Sequence, residues 1–229
     1  MPGVLYAIPT PLGGTAAAAL PAPALEAVRT LRSFVVENAK TARAFLKEVE
    51  MPCRLQELNM SIVGEGTEGA LRKLKGGESV GLLSEAGCPA IADPGAVLVA
   101  AAQDAGVRVV PLVGPSSVVL ALMASGLEGQ RFAFCGYLPR DAEDRRQRIR
   151  ELELRSRRGR ETQIFIETPY RNDAMLAALL ETLPDRTLLC VATDLTLPSE
   201  EIRTRPVARW RAARPAIGKR PTVFLLLSA

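Results

Sequence analysis

Residues 84–95 read Ser84-Glu85-Ala86-Gly87-Cys88-Pro89-Ala90-Ile91-Ala92-Asp93-Pro94-Gly95, and this stretch decides the fold. A short apolar run, Ser79 to Leu83, precedes it, and an Ala-rich run from Ala96 to Gly106 follows. The order is therefore strand, loop, helix, which places the loop at the carboxyl end of a strand. Ligands bind at such ends in open α/β sheets, and the small residues Ala86, Gly87 and Ala90 leave room for a ligand to approach main-chain N–H and C=O groups. Asp93-Pro94 reads as an N-cap followed by proline at the first helical position. A plain βα connection of small residues would look similar, so the surrounding sequence has to decide.

Working outward, the coarse pattern towards the N-terminus is strand Val4 to Ile8, helix Ala22 to Leu31, strand Phe34 to Glu37, helix Thr41 to Val49, a weak strand near Leu55 and helix Thr67 to Leu74. Strand Val80 to Leu83, helix Ala96 to Ala105 and strand Val107 to Leu112 complete this half. Such alternation predicts an α/β fold with a mostly parallel sheet. Past Gly114-Pro115 come helix Ser117 to Ala124, strand Phe132 to Leu138, an arginine-rich helix, strand Gln163 to Glu167, helix Asn172 to Thr182, and strands Leu188 to Asp194 and Thr222 to Leu227. This strand-rich half predicts a mixed sheet. The expected domains are residues 1–113 and 114–229.

Two further loops resemble the first in kind. Ile8-Pro9-Thr10-Pro11-Leu12-Gly13-Gly14 follows the first strand, and Pro111 to Ser117 leads from a strand into a helix, where N–H groups and hydroxyls can hold polar ligand groups. Three stiff loops at carboxyl ends predict a ligand cleft between the two halves. Gly64-Glu65-Gly66-Thr67-Glu68-Gly69 matches a dinucleotide fingerprint formally, with Glu85 about 20 residues on. Its leading run, Asn59 to Val63, reads as a poor strand, and the fingerprint normally opens its fold, so a surface loop capping the next helix is preferred.

Composition narrows the chemistry. The 229 residues contain no histidine, which removes Ser-His-Asp hydrolysis, His-liganded metals and any imidazole base. Cys53, Cys88, Cys135 and Cys190 lie far apart with no Cys-x-x-Cys pair, so no metal site or disulfide framework is expected. No membrane span or signal peptide is read, and a cytoplasmic protein is expected. The net charge is +4, and Arg140 to Arg160 alone holds nine arginines against five acids. A solvated helix face with Glu–Arg pairs at helical spacing is the usual fate of such a run, but Arg145, Arg146 and Arg148 read as having few acids to pair with, so with Arg140 they are the expected contacts to nucleic-acid phosphates.

LYAIPTPLGG, SEAGCPAIADPG, VVPLVGPSSVVLALMASGL, RFAFCGYLPR and FIETPYR occur in an order that resembles the ribosomal RNA small-subunit methyltransferase I family, of the tetrapyrrole methylase superfamily. The resemblance implies a two-domain tetrapyrrole-methylase-like fold, a homodimer, S-adenosylmethionine in the interdomain cleft, and ribose 2′-O-methylation of small-subunit ribosomal RNA. It places the cofactor against Pro9, Leu12, Ser84, Ala86, Gly87, Ile91, Ser116 and Ser117. Glu85 and Glu37 are the carboxylates that could take the acceptor's proton. Departures from the family pattern gather at polar positions: Glu37-Asn38-Ala39-Lys40 replaces Glu-Asp-Thr-Arg, Leu58 to Ser61 replaces a His- and Asn-containing stretch, and Glu85 and Cys88 replace Asp and Thr. Glu167-Thr168-Pro169-Tyr170-Arg171 replaces Glu-Ser-Pro-His-Arg, and Thr193 and Leu197 replace Arg and Lys. The cofactor loops keep their glycines and prolines. The acceptor is thereby left open between RNA and a small molecule such as a tetrapyrrole, with a non-catalytic RNA-binding relative as the third reading.

Overall fold

The computed structural model describes residues 2–92 and 94–228. The chain divides into two compact units, Met1–Ser116 and Ser117–Ala229.

The first unit begins with β1 (Val4–Ile8), α1 (Ala16–Ala19), α2 (Ala22–Arg29), β2 (Ser33–Val36), α3 (Ala39–Glu48), β3 (Asn59–Ile62) and α4 (Thr67–Lys75). It ends with β4 (Val80–Leu83), α5 (Ala96–Asp104) and β5 (Arg108–Pro111). All pairings are parallel, in the order β3-β2-β4-β1-β5. Successive residues of the inner strands enter opposite cores: Phe34, Val36 and Leu83 join Phe45 and Leu46 on one face, while Val35 and Leu82 join Leu74 and Leu98 on the other. Burial on both faces explains why these strands read as unbroken apolar runs.

Three expectations change here. Leu55–Glu57 is a 3-10 turn and not a strand. The strand is Asn59–Ile62, half exposed at the sheet's edge, where Asn59 and Ser61 cost little and no apolar alternation is required. Helix α5 starts at Ala96, and Pro94 lies in the preceding turn instead of at the first helical position; the Asp93 cap falls outside the described residues.

The second unit contains α6 (Ser117–Ser125), β6 (Phe132–Tyr137), α7 (Ala142–Gly159), β7 (Thr162–Glu167), α8 (Asn172–Thr182), β8 (Leu188–Thr193), β9 (Glu201–Pro206), α9 (Val207–Ala212) and β10 (Thr222–Leu227). Its sheet runs β6-β7-β10-β8-β9, with β6 and β7 parallel and the other neighbours antiparallel, so it is mixed as expected. Phe165 and Phe224 stack with centroids 5.7 Å apart at the centre of its core. Trp210 closes one side, its indole N–H donating to the Leu189 carbonyl at 2.9 Å. Among the described residues no helix is long and apolar enough to cross a membrane.

Candidate functional site

Because the first sheet is wholly parallel, all five strands end on one edge. The loops after β1, β4 and β5 meet there. Thr10 and Gly87 exchange both main-chain hydrogen bonds, Thr10 N–H to Gly87 O at 2.9 Å and Gly87 N–H to Thr10 O at 3.0 Å. Ser84 Oγ donates to the same Gly87 carbonyl at 3.1 Å, and Thr10 Oγ1 reaches the Ser84 carbonyl at 3.4 Å. The third loop is tied in by Cys88 Sγ, which donates to the Pro115 carbonyl at 3.4 Å. Burial pushes the Cys88 thiol above its ordinary pKa, so it serves here as a neutral donor.

The small residues of this junction have steric reasons. Gly87 has φ +80°, and a Cβ there would lie 3.2 Å from Leu12 Cδ2. A Cβ on Gly114 would lie 2.4 Å from Pro9 Cβ, so the first and third loops touch only because that residue lacks a side chain. Ala90 and Ala92 also sit at positive φ, 66° and 63°. Such a conformation is uncommon for non-glycine residues and tends to gather at ligand clamps.

The expected carboxylates come together on this edge. Glu37 directly follows β2 and anchors to the neighbouring strand, its N–H donating to the Leu83 carbonyl at 3.3 Å. Its Oε2 accepts the Glu85 N–H at 3.2 Å, and Thr41 Oγ1 donates to Glu85 Oε1 at 3.4 Å. Glu85 and Ala86 are exposed, Glu37 is half-buried, and Ile91 presents half of its surface to solvent. Pro9, Leu12, Ser84, Ala86, Gly87, Ile91 and Ser116 all belong to the first unit, whereas Ser117 opens α6 in the second.

Gly64 to Gly69 lies elsewhere, in the turn from β3 to α4. Gly66 packs against Ser61, whose Oγ would be 2.5 Å from an added Cβ, and it lines a surface pocket of about 420 Å³ with Ser33 and Lys73. The glycine is required by packing of this turn on an edge strand.

The arginine helix α7 differs from expectation in its pairing. Arg146 binds Glu143 at 2.9 Å and Arg148 binds Glu151 at 3.0 Å, each one turn apart on the helix. Arg145 Nη1 donates to the Arg140 carbonyl at 2.9 Å, clamping the turn before the helix, while Arg140 itself is exposed. Asp141 caps α7, and the N–H groups of Asp144 and Glu143 hold its carboxyl below the usual value; a hydrogen bond from Arg146 does the same for Glu143. Among the described residues, no ion pair engages Arg157, Arg158 or Arg160 near the other end of α7.

Sequence reading passed over the Lys219-Arg220 pair before β10. Arg220 donates to Asp194 at 2.6 Å and to Glu201 at 3.2 Å, and its hydrogen bond to Asp194 raises its pKa further. Two cations directly before an apolar strand were the available signal.

The family model of Tetrapyrrole (Corrin/Porphyrin) Methylases matches residues 4–209, which makes the class of this α/β protein a methyltransferase of the tetrapyrrole methylase kind. The fold is shared with the methyltransferase CobJ, at TM-score 0.63 and 20% identity over 100% of this chain and 95% of that one. It is shared also with the uroporphyrin-III-C-methyltransferase from Thermus thermophilus, at TM-score 0.57 and 18% identity over 100% and 93%. Relatives named ribosomal RNA small subunit methyltransferase I include one from Escherichia coli O157:H7, 34% identical over 90% of this chain and 70% of its own length. Others come from Mesorhizobium japonicum, 36% identical over 87% and 66%, and Bacillus subtilis, 34% identical over 87% and 66%. The chain belongs to the ribosomal RNA small subunit methyltransferase I family of the tetrapyrrole methylases, and spans about two thirds of the length of these relatives.

Proposed function

We propose that the chain transfers the methyl group of S-adenosylmethionine to a ribose 2′-hydroxyl of small-subunit ribosomal RNA. The observation that carries this reading is the three-loop junction at the carboxyl edge of the first sheet, locked by the Thr10–Gly87 exchange. Its fit to the cofactor rests on the side-chain-free space at Gly87, which a Cβ would close against Leu12. Pro9, Leu12, Ser84, Ala86, Gly87 and Ile91 would line the cofactor's site, with Ser116 at the end of the third loop and Ser117 at the start of α6 as further contacts. The names of the relatives support RNA as the acceptor.

When bound, the cofactor supplies an electrophilic methyl carbon on a sulfonium. Methyl transfer to the acceptor oxygen would leave a neutral thioether sulfur; Glu85 or Glu37 would take the hydroxyl proton, and the loops would hold donor and acceptor in line. No metal enters this scheme. Arg140, Arg145, Arg146 and Arg148 would lie along the RNA, and the working form would be a cytoplasmic homodimer.

Calorimetric titration with S-adenosylmethionine is expected to give saturable binding, and its absence would sink this reading. With labelled cofactor, label is expected in the RNA of small ribosomal subunits. Label in a tetrapyrrole or other metabolite would establish the small-molecule acceptor instead. Salt-sensitive RNA binding without transfer would establish the non-catalytic relative.

A further inference from the structure

The second sheet has an edge with its own chemistry. Strands β6 and β7 are parallel and both end there, β10 begins opposite Glu167, and β8 ends opposite Thr222. Residues 137–141, 168–171 and 218–221 are thus brought to one side of the unit. Tyr170 stands on this edge with 79% of its surface exposed.

Its turn is fixed from below. Pro169 restricts the backbone, and the Arg171 N–H donates to the Thr168 carbonyl at 2.9 Å. The Arg171 guanidinium grips the buried Glu167 carboxylate through Nε at 3.0 Å and Nη2 at 2.5 Å, while Thr168 N–H donates to the same oxygen at 2.6 Å. A large ring is therefore held out into solvent on a rigid base. Lys219 Nζ lies 4.9 Å from the ring centroid, a cation–π contact that leaves most of the ring uncovered.

Asp194 and Glu201 on this edge are both engaged by Arg220 and the Asp141 carboxylate caps α7, while the Lys219 ammonium beside the ring and the exposed Arg140 have no ion-pair partner among the described residues and can meet an anion. Tyr137, 55% exposed at the end of β6, adds a second aromatic side chain. Exposed aromatic rings beside cations suit unpaired nucleotides, whose bases stack while their phosphates meet the charge.

We infer that Tyr170 is a stacking surface for an unpaired base of the RNA acceptor, with Lys219 placed for the adjoining phosphate. This deepens the RNA reading above and rests on it. Tyr170 and Tyr137 are the exposed aromatic side chains described on this edge, so stacking there takes one or two bases.

The test uses a single-stranded RNA oligonucleotide carrying 2-aminopurine, the same strand annealed to its complement, and whole small ribosomal subunits. Tyr170→Ala should weaken single-strand binding by about tenfold or more and abolish the fluorescence quenching. Tyr170→Phe, which keeps the ring, should retain both. The duplex should be insensitive to either change, and Lys219→Ala should lower the slope of log affinity against log salt by about one. For ribosomal subunits the Tyr170→Ala enzyme should show a raised KM while its calorimetric affinity for S-adenosylmethionine is held. Melting curves report whether each variant is folded, and the exposed ring has no core contact to lose. Wild-type binding by Tyr170→Ala, or equal losses in the Phe and Ala variants, would overturn the inference. If the wild-type protein methylates no RNA, the functional reading falls, yet the oligonucleotide series still decides the role of Tyr170. Ring-dependent binding of a peptide but not of the oligonucleotide would also overturn it in favour of a protein partner.

Discussion

At the scale of single residues, Gly87 carries the most consequence. Its φ of +80° belongs to the left-handed region, and its missing Cβ keeps Leu12 and the Thr10 bridge in place. Gly87→Ala should cost about 1–2 kcal/mol in urea unfolding, the usual penalty for a side chain in that conformation. It should also weaken S-adenosylmethionine binding, because the strain falls on the proposed cofactor wall. An unchanged cofactor affinity in the folded variant would separate Gly87 from the site. That Gly87 lies in a loop at a strand's carboxyl end was legible in the sequence, but its exchange of hydrogen bonds with Thr10 was not, because a plain βα connection of small residues reads the same way. The pairing of Arg146 and Arg148 was not legible from acid counts alone. It depended on Glu143 and Glu151 lying one helical turn away, a spacing visible in the sequence but outweighed in the reading by the net excess of arginine.

At the scale of elements, the strands that escaped reading are those at edges. Asn59–Ile62 and Glu201–Pro206 carry polar and charged residues, because an edge strand meets water and needs no continuous apolar run. The inner strands Val4–Ile8 and Val80–Leu83 were recognisable to the residue for the opposite reason. Helix α7 offers a pH test. Asp141, whose ordinary value is 3.8, is held lower by the N–H groups that it caps, and Glu143 is held below 4.5 by Arg146. A carboxyl depressed on folding contributes stability above its unfolded pKa and loses it as pH falls through the folded one. The contribution of this cap should therefore be full near pH 6 and decline below pH 4.5, first for Glu143 and then for Asp141. Asp141→Asn keeps an acceptor but does not titrate. Its urea midpoint should drop less than that of the wild type between pH 6 and pH 3, and parallel curves would refute the cap's role.

At the scale of the whole molecule, the two units have separate apolar interiors, one around Phe165 and Phe224 and the others on the two faces of the first sheet. Phe165→Ala removes a fully buried stacked ring and should cost about 3–5 kcal/mol. Amide exchange should quicken in β7, β8 and β10, while β1, β2 and β4 keep their protection. Equal loss of protection in both units would mean that they unfold as one. Alternation of strands and helices announced the first unit's parallel sheet. The antiparallel strands of the second were harder to read, because β9 is charged and the short helix α9 combines Val207 and Trp210 with two exposed arginines.

The junction of Thr10 with Gly87 is made of main chain, which every amino acid except proline carries in full. Asn38 and Glu85, which stand on the same sheet edge, can therefore change without dismantling it: substitution there alters the surroundings of the junction and leaves its hydrogen bonds formed.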